Sequence, residues 1–88
     1  MRYPVTLAQE LPRYPGLVPF GGIKGMVEIV IDEKGSVESA AMVVPVSNAY
    51  DKQVLAAVNK WRYQPSTVNG VAVKFKKRVR ISIAPLAQ

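Results

Sequence analysis

The stretch from Lys24 to Asp32 carries a period of two. Val27, Ile29 and Ile31 share one phase, with Glu28 and Asp32 on the other. A period of two is the signature of a strand with one face buried. Asp32-Glu33-Lys34-Gly35 follows, acidic residues ahead of a glycine able to take positive φ, which is turn chemistry. A second strand is predicted over Ser36 to Val44, with Val37, Ala41 and Val43 on a common phase, so the two strands form an antiparallel hairpin. Pro45 ends it. The period then changes: Tyr50, Val54, Ala57, Val58 and Trp61 recur at helical spacing. Ser47 or Asn48 caps this helix, and Asp51 falls in its first turn, where a negative charge suits the dipole. Pro65 disfavours α geometry at Gln64, so the helix is expected to stop near Trp61 to Tyr63.

Asn69-Gly70 signals another turn. A last strand is predicted from about Val71 to Ile83, with Val73, Phe75, Val79, Ile81 and Ile83 on one phase and Lys74, Lys76, Arg78, Arg80 and Ser82 on the other. Lys77 breaks the pattern by sitting in the apolar phase. Pro85 closes the strand. The order strand, strand, helix, strand points to an α+β fold: a three-stranded antiparallel sheet with one helix across one face. A strand that follows a helix is not placed by a hairpin, and at an edge its backbone groups would be open to a partner.

Residues 1–23 form a different kind of segment. Pro4, Pro12, Pro15 and Pro19 are interleaved with Gly16, Gly21 and Gly22, so a helix is not expected there; Tyr3 to Gln9 reads as extended. The division is therefore a Pro/Gly-rich segment at 1–23, a domain at 24–84 and a tail at 85–88.

Composition narrows the chemistry. With 88 residues there is room for one modest core. The chain has neither cysteine nor histidine, which removes the thiolate metal sites and the commonest general base. No metal site, cofactor or catalytic residue is expected. The net charge of +6 is lopsided: residues 1–51 hold four bases and six acids, and after Asp51 come eight bases and no acid. The cations of the last strand have three readings. They discourage indiscriminate sheet extension at an edge, they meet an acidic protein or peptide, or they bind nucleic acid. The last reading wants exposed aromatics beside the charges, and Phe75, the only aromatic of the strand, has an inward phase.

The block Trp61-Arg62-Tyr63-Gln64-Pro65 has a self-sufficient structural reading. Trp61 anchors the core from the helix, Tyr63 seals the helix exit, Arg62 pairs with an acid, meets an aromatic ring or, as the safe reading, faces water, and Pro65 sets the chain direction. In the context of Tyr14-Pro15, Gly25, Asp32-Glu33-Lys34-Gly35, Tyr50-Asp51 and Asn69-Gly70-Val71-Ala72-Val73, the same block also resembles the C-terminal domain of TonB proteins over about residues 13–83. Ala72 stands where the family usually has proline, and Gly16 to Gly22 replaces its short helical turn. The resemblance implies a periplasmic domain of a Gram-negative bacterium, anchored in the inner membrane and energised there by a proton-driven motor complex. Its partner would be the Ton box of outer-membrane transporters for iron chelates, cobalamin and similar nutrients, bound by strand addition. By this resemblance the grip belongs to the edge strand Lys74, Phe75, Lys76, Lys77, Arg78, Val79, Arg80 and Ile81, with secondary contacts at Arg13, Tyr14 and Pro15. Other roles for the same fold are a TolA-like envelope linker, a homodimer through edge strands, and, less favoured, a basic nucleic-acid-binding domain.

Overall fold

The computed structural model describes residues 1–85; of the tail expected at 85–88, the last three positions lie outside the described residues. The elements run β1 (Val5–Ala8), β2 (Ile23–Ile31), β3 (Val37–Val44), α1 (Asn48–Val58), β4 (Arg62–Gln64), β5 (Ser66–Val68), β6 (Val71–Val73) and β7 (Phe75–Ile83). The main sheet is antiparallel in the order β3-β2-β7, and α1 lies against one face of it. Two small two-stranded sheets, β1-β4 and β5-β6, flank it.

The core is the meeting of two periodicities. Val27, Ile29 and Ile31 of β2 and Val79 and Ile81 of β7 face Tyr50, Val54 and Val58 of α1, with Trp61 and Tyr63 closing the end. Burying each such Val or Ile contributes roughly 1.5–3 kcal/mol. Ser47 caps the helix: its Oγ accepts from the Tyr50 N–H at 3.2 Å. Asp51 reaches back to accept the Val46 N–H at 2.9 Å, so an exposed-end donor on each side of the cap is satisfied.

The hairpin turn is held by Asp32, whose Oδ1 accepts the N–H groups of Lys34 and Ser36, both at 2.9 Å. The Ser36 N–H above all holds this carboxyl below the usual carboxylate range. Gly35 has φ +86°, and a Cβ there would collide with the Tyr63 carbonyl. The Tyr63 N–H donates to the Gly35 carbonyl at 2.9 Å, pinning the turn to β4. Gly25 is a second close approach: a Cβ there would lie 2.6 Å from Val46 Cγ2.

Several expectations are corrected. Val37, Ala41 and Val43 do not share a buried phase. Glu38 is an extra residue between the pairs Ile31↔Val37 and Val30↔Ser39, and Val43 is another between Val27↔Met42 and Met26↔Val44. Each bulge flips the alternation, so Val37, Ala40 and Met42 pack against the core while Ala41 and Val43 are exposed. The helix ends at Val58, earlier than expected, because Lys60 and Trp61 donate back to Ala57 and Val58 in a tightened turn. Trp61 and Tyr63 are buried as expected, but beyond the helix rather than on it, and Arg62 is exposed. The last strand is two strands: β6 pairs with β5 through the Asn69-Gly70 turn, where both residues have positive φ, and β7 pairs with β2. Lys74 sits in the break.

Residues 1–12 form an arm that docks on the core. Its β1 pairs antiparallel with β4. The arm also supplies the acceptor for every buried polar side chain nearby. The Tyr50 hydroxyl donates to the Pro12 carbonyl, the Trp61 indole N–H to the Glu10 carbonyl, and the Ser66 hydroxyl to the Arg2 carbonyl, each at 2.7 Å. The Tyr63 hydroxyl donates to Gln9 Oε1.

Candidate functional site

A three-stranded sheet has two edges, and these two differ. The β3 edge is bulged twice, which kinks the strand and breaks its row of outward donors and acceptors. The β7 edge is regular: nine consecutive pairs from Ile31↔Phe75 to Ile23↔Ile83 run without a shift. On the side away from β2, β7 has no strand partner among the described residues. It therefore offers an extended template of free backbone groups, the arrangement an added strand requires.

Of the expected edge residues, Phe75, Lys76, Lys77, Arg78, Val79, Arg80 and Ile81 lie in β7 and Lys74 lies just before it. Their side chains divide by face. Val79 and Ile81 are core residues. Phe75 is half-buried and meets Tyr3 edge-on, ring centroids 5.7 Å apart. Lys77 is no longer an anomaly: its Nζ sits 5.0 Å from the centroid of the Tyr63 ring, a cation–π contact, and reaches Thr6 Oγ1 at 3.4 Å. Burial pushes the Tyr63 phenol up to about 12 and raises that of Tyr50.

Lys76, Arg78 and Arg80 project to the open face, away from α1. The acids that meet Lys76, Arg78 and Lys74 were not identified from the sequence as partners. Glu28 Oε2 accepts from Arg78 Nε at 3.0 Å, and Glu28 Oε1 lies 3.8 Å from Lys76 Nζ. Lys74 pairs with Glu38 at 2.7 Å, and that hydrogen bond raises the pKa of its ammonium. The Glu28↔Arg78 register could not be read from the sequence, because β3, α1 and three short strands separate β2 from β7. No aromatic ring of β2 or β7 stands on this face, so bases would find no stacking platform there.

Arg13, Tyr14 and Pro15 gather at the Ile83 end of β7. A groove of about 580 Å³ is formed there by residues 13–18 and Ile83 to Pro85. Tyr14 is fixed in it by the Tyr50 ring, 5.3 Å away at 60°. The edge strand and the residues expected as secondary contacts are thus continuous. Leu17, Val18 and Ile83 were not among the expected site residues. Among the described residues no three His, Cys, Asp or Glu side chains converge on a point.

Comparison with known proteins agrees with this architecture. The family described as Gram-negative bacterial TonB protein C-terminal matches residues 11–82. Protein TonB of Vibrio cholerae is 31% identical over 77 residues, which is 84% of this chain and 32% of that protein. The chain spans about a third of the length of that curated relative.

Proposed function

The chain belongs to the TonB C-terminal domain family, a family of transport energy transducers, and from that premise we propose that it grips an extended segment of an outer-membrane transporter by adding it as a strand to the free edge of β7. The segment is the Ton box, and the setting is the periplasm of a Gram-negative bacterium. The pull comes from an inner-membrane proton-driven motor through the remainder of the protein. The nutrients imported are of the iron-chelate or cobalamin kind.

The observation that carries this reading is the unbroken nine-pair register of β7 beside a β3 edge that is bulged twice. Only the former presents evenly spaced donors and acceptors along its length. Each added main-chain bond contributes a net of roughly 0.5–1.5 kcal/mol, so a short segment is held reversibly. Loaded in shear along the strand, the same bonds must fail together. The cations on the open face favour acidic residues close to the box.

The test is an NMR titration of the chain with Ton-box peptides from transporters of its own organism. Amide shifts concentrated in Phe75 to Ile83 are expected. Shifts confined to β3, or none in β7 at millimolar peptide, would overturn the assignment.

A further inference from the structure

The two ends of the β7 edge differ in their electrostatics. Toward Phe75 the cations are engaged, Lys74 by Glu38 and both Lys76 and Arg78 by Glu28. Toward Ile83 they are not: among the described residues neither Lys24 nor Arg80 has an ion pair. The pairs Met26↔Arg80 and Lys24↔Ser82 put these two cations on one diagonal of the open face. A shallow depression of about 420 Å³ lies between them, floored by Met26 and Val44. Glu28, the diagonal neighbour of Arg80 on its other side, is engaged by Arg78 and Lys76. Arg80 and Lys24, like charges at diagonal spacing, repel each other, and a carboxylate arriving between them relieves that repulsion without breaking either of those pairs.

The other face of the same strand end is apolar. Ile83 packs toward the core beside Tyr14, at the mouth of the groove that Leu17 and Val18 also line. Leu17 is 95% exposed and Phe20, on the same loop, is 100% exposed. Single exposed apolar side chains are ordinary. Two on one loop, with Leu17 lining a groove that continues a free sheet edge, make a surface that a docked side chain would cover.

Resting on the strand-addition reading, we propose that the Ile83 end of β7 reads two faces of the docked segment at once, selecting an acidic residue three positions from a bulky apolar one. Arg80, with Lys24 behind it, meets the carboxylate on the open face. The groove of Tyr14, Leu17, Val18 and Ile83 takes the apolar side chain on the helix face. The spacing follows from the pleat. Arg80 and Ile83 are three residues apart and project to opposite faces, so their cross-strand neighbours do the same. The acidic residue lies nearer the Phe75 end, whichever way the segment runs.

The test uses labelled nine-residue peptides with an extended, Thr/Val-rich host sequence. They carry Glu-x-x-Leu or Leu-x-x-Glu, together with Glu→Gln, Leu→Ala and two-residue-spacing controls. Anisotropy gives Kd, and amide shifts of the chain report the site. One direction binds best. In it Glu→Gln weakens binding roughly 2–5-fold at low salt, as an exposed ion pair should. This loss disappears in the Arg80→Gln chain. Leu→Ala weakens binding roughly 5–10-fold through lost apolar burial, and that loss shrinks in Leu17→Ser. Shortening the spacing to two residues costs as much as deleting one determinant. If β7 amides shift with every peptide but the affinities are alike, the two-sided selection is wrong and strand addition stands. If no peptide shifts the β7 amides, both are wrong.

Discussion

The arm of residues 1–12 can be tested at one hydrogen bond. Tyr63 is 2% exposed, and its hydroxyl donates to Gln9 Oε1. Replacing Gln9 by Ala removes the acceptor and leaves a buried donor unsatisfied, a cost of about 1–3 kcal/mol. Replacing Tyr63 by Phe removes the donor instead. It costs about 1 kcal/mol for the net bond, since the ring still fills its place beneath Lys77. With both replaced, no orphaned group remains, so the double variant should be no worse than Gln9→Ala alone. The coupling is then on the order of 1 kcal/mol in favour of the double variant, above the ~0.3–0.5 kcal/mol expected of independent sites. A domain of this size has a total stability of about 4–13 kcal/mol, and each kcal/mol moves Tm by roughly 4–8 °C. Gln9→Ala should therefore lower Tm by roughly 5–20 °C, which thermal unfolding followed by Trp61 fluorescence resolves. Additive single-variant losses would refute the docked arm. So would a Gln9→Ala chain that melts with the parent.

Three other outcomes follow from the same geometry. Because the Tyr63 phenol is raised to about 12, the folded state keeps its proton after the unfolded chain has lost it near 10; stability is full below pH 10 and falls between pH 10 and 12, and urea melts across that window should show a shallower fall in Tyr63→Phe. Gly35→Ala puts a methyl into the Tyr63 carbonyl at a φ of +86°, so it should cost more than about 2 kcal/mol, read as a shifted denaturation midpoint with unchanged slope. Glu28→Gln releases Lys76 and Arg78 from their intramolecular partner, so an acidic peptide on β7 should bind roughly 2–5-fold more tightly at low salt, with the gain gone at 0.5 M salt, by fluorescence anisotropy.

The parts of this fold that could be read from the sequence are those whose cause is local. Alternation in β2, the Asp32–Gly35 turn, the Ser47 cap, the apolar stripe of α1 and the Asn69-Gly70 turn each depend on a few neighbouring residues, and each is found in place. What stayed hidden depends on distant partners. A bulge at Glu38 carries no composition signal of its own, yet it reverses which face Ala41 and Val43 take. Three-residue strands such as β4 and β5 are too short to show a period. The arm contributes mainly backbone carbonyls of Arg2, Glu10 and Pro12, acceptors that every sequence offers and none advertises. For the candidate site, β7 itself was legible from its alternation, and Lys77 stood out as an exception without its reason, the Tyr63 ring. That Arg80 has no ion pair among the described residues while Arg78 has one depends on the β2–β7 register, which only the folded chain fixes.

The unequal edges also limit what the domain can build. A unit with two regular edges is bifunctional in the polymer chemist's sense: each addition leaves a fresh growing end, and the product is a fibre. The bulges of β3 make this chain monofunctional. Two copies of this chain could pair only once through regular edges, β7 to β7, and the pair would present two bulged β3 edges, so chain-to-chain growth by this route would stop at a dimer. A chain straightened at Glu38 and Val43 would keep the β7 edge and lose that stop.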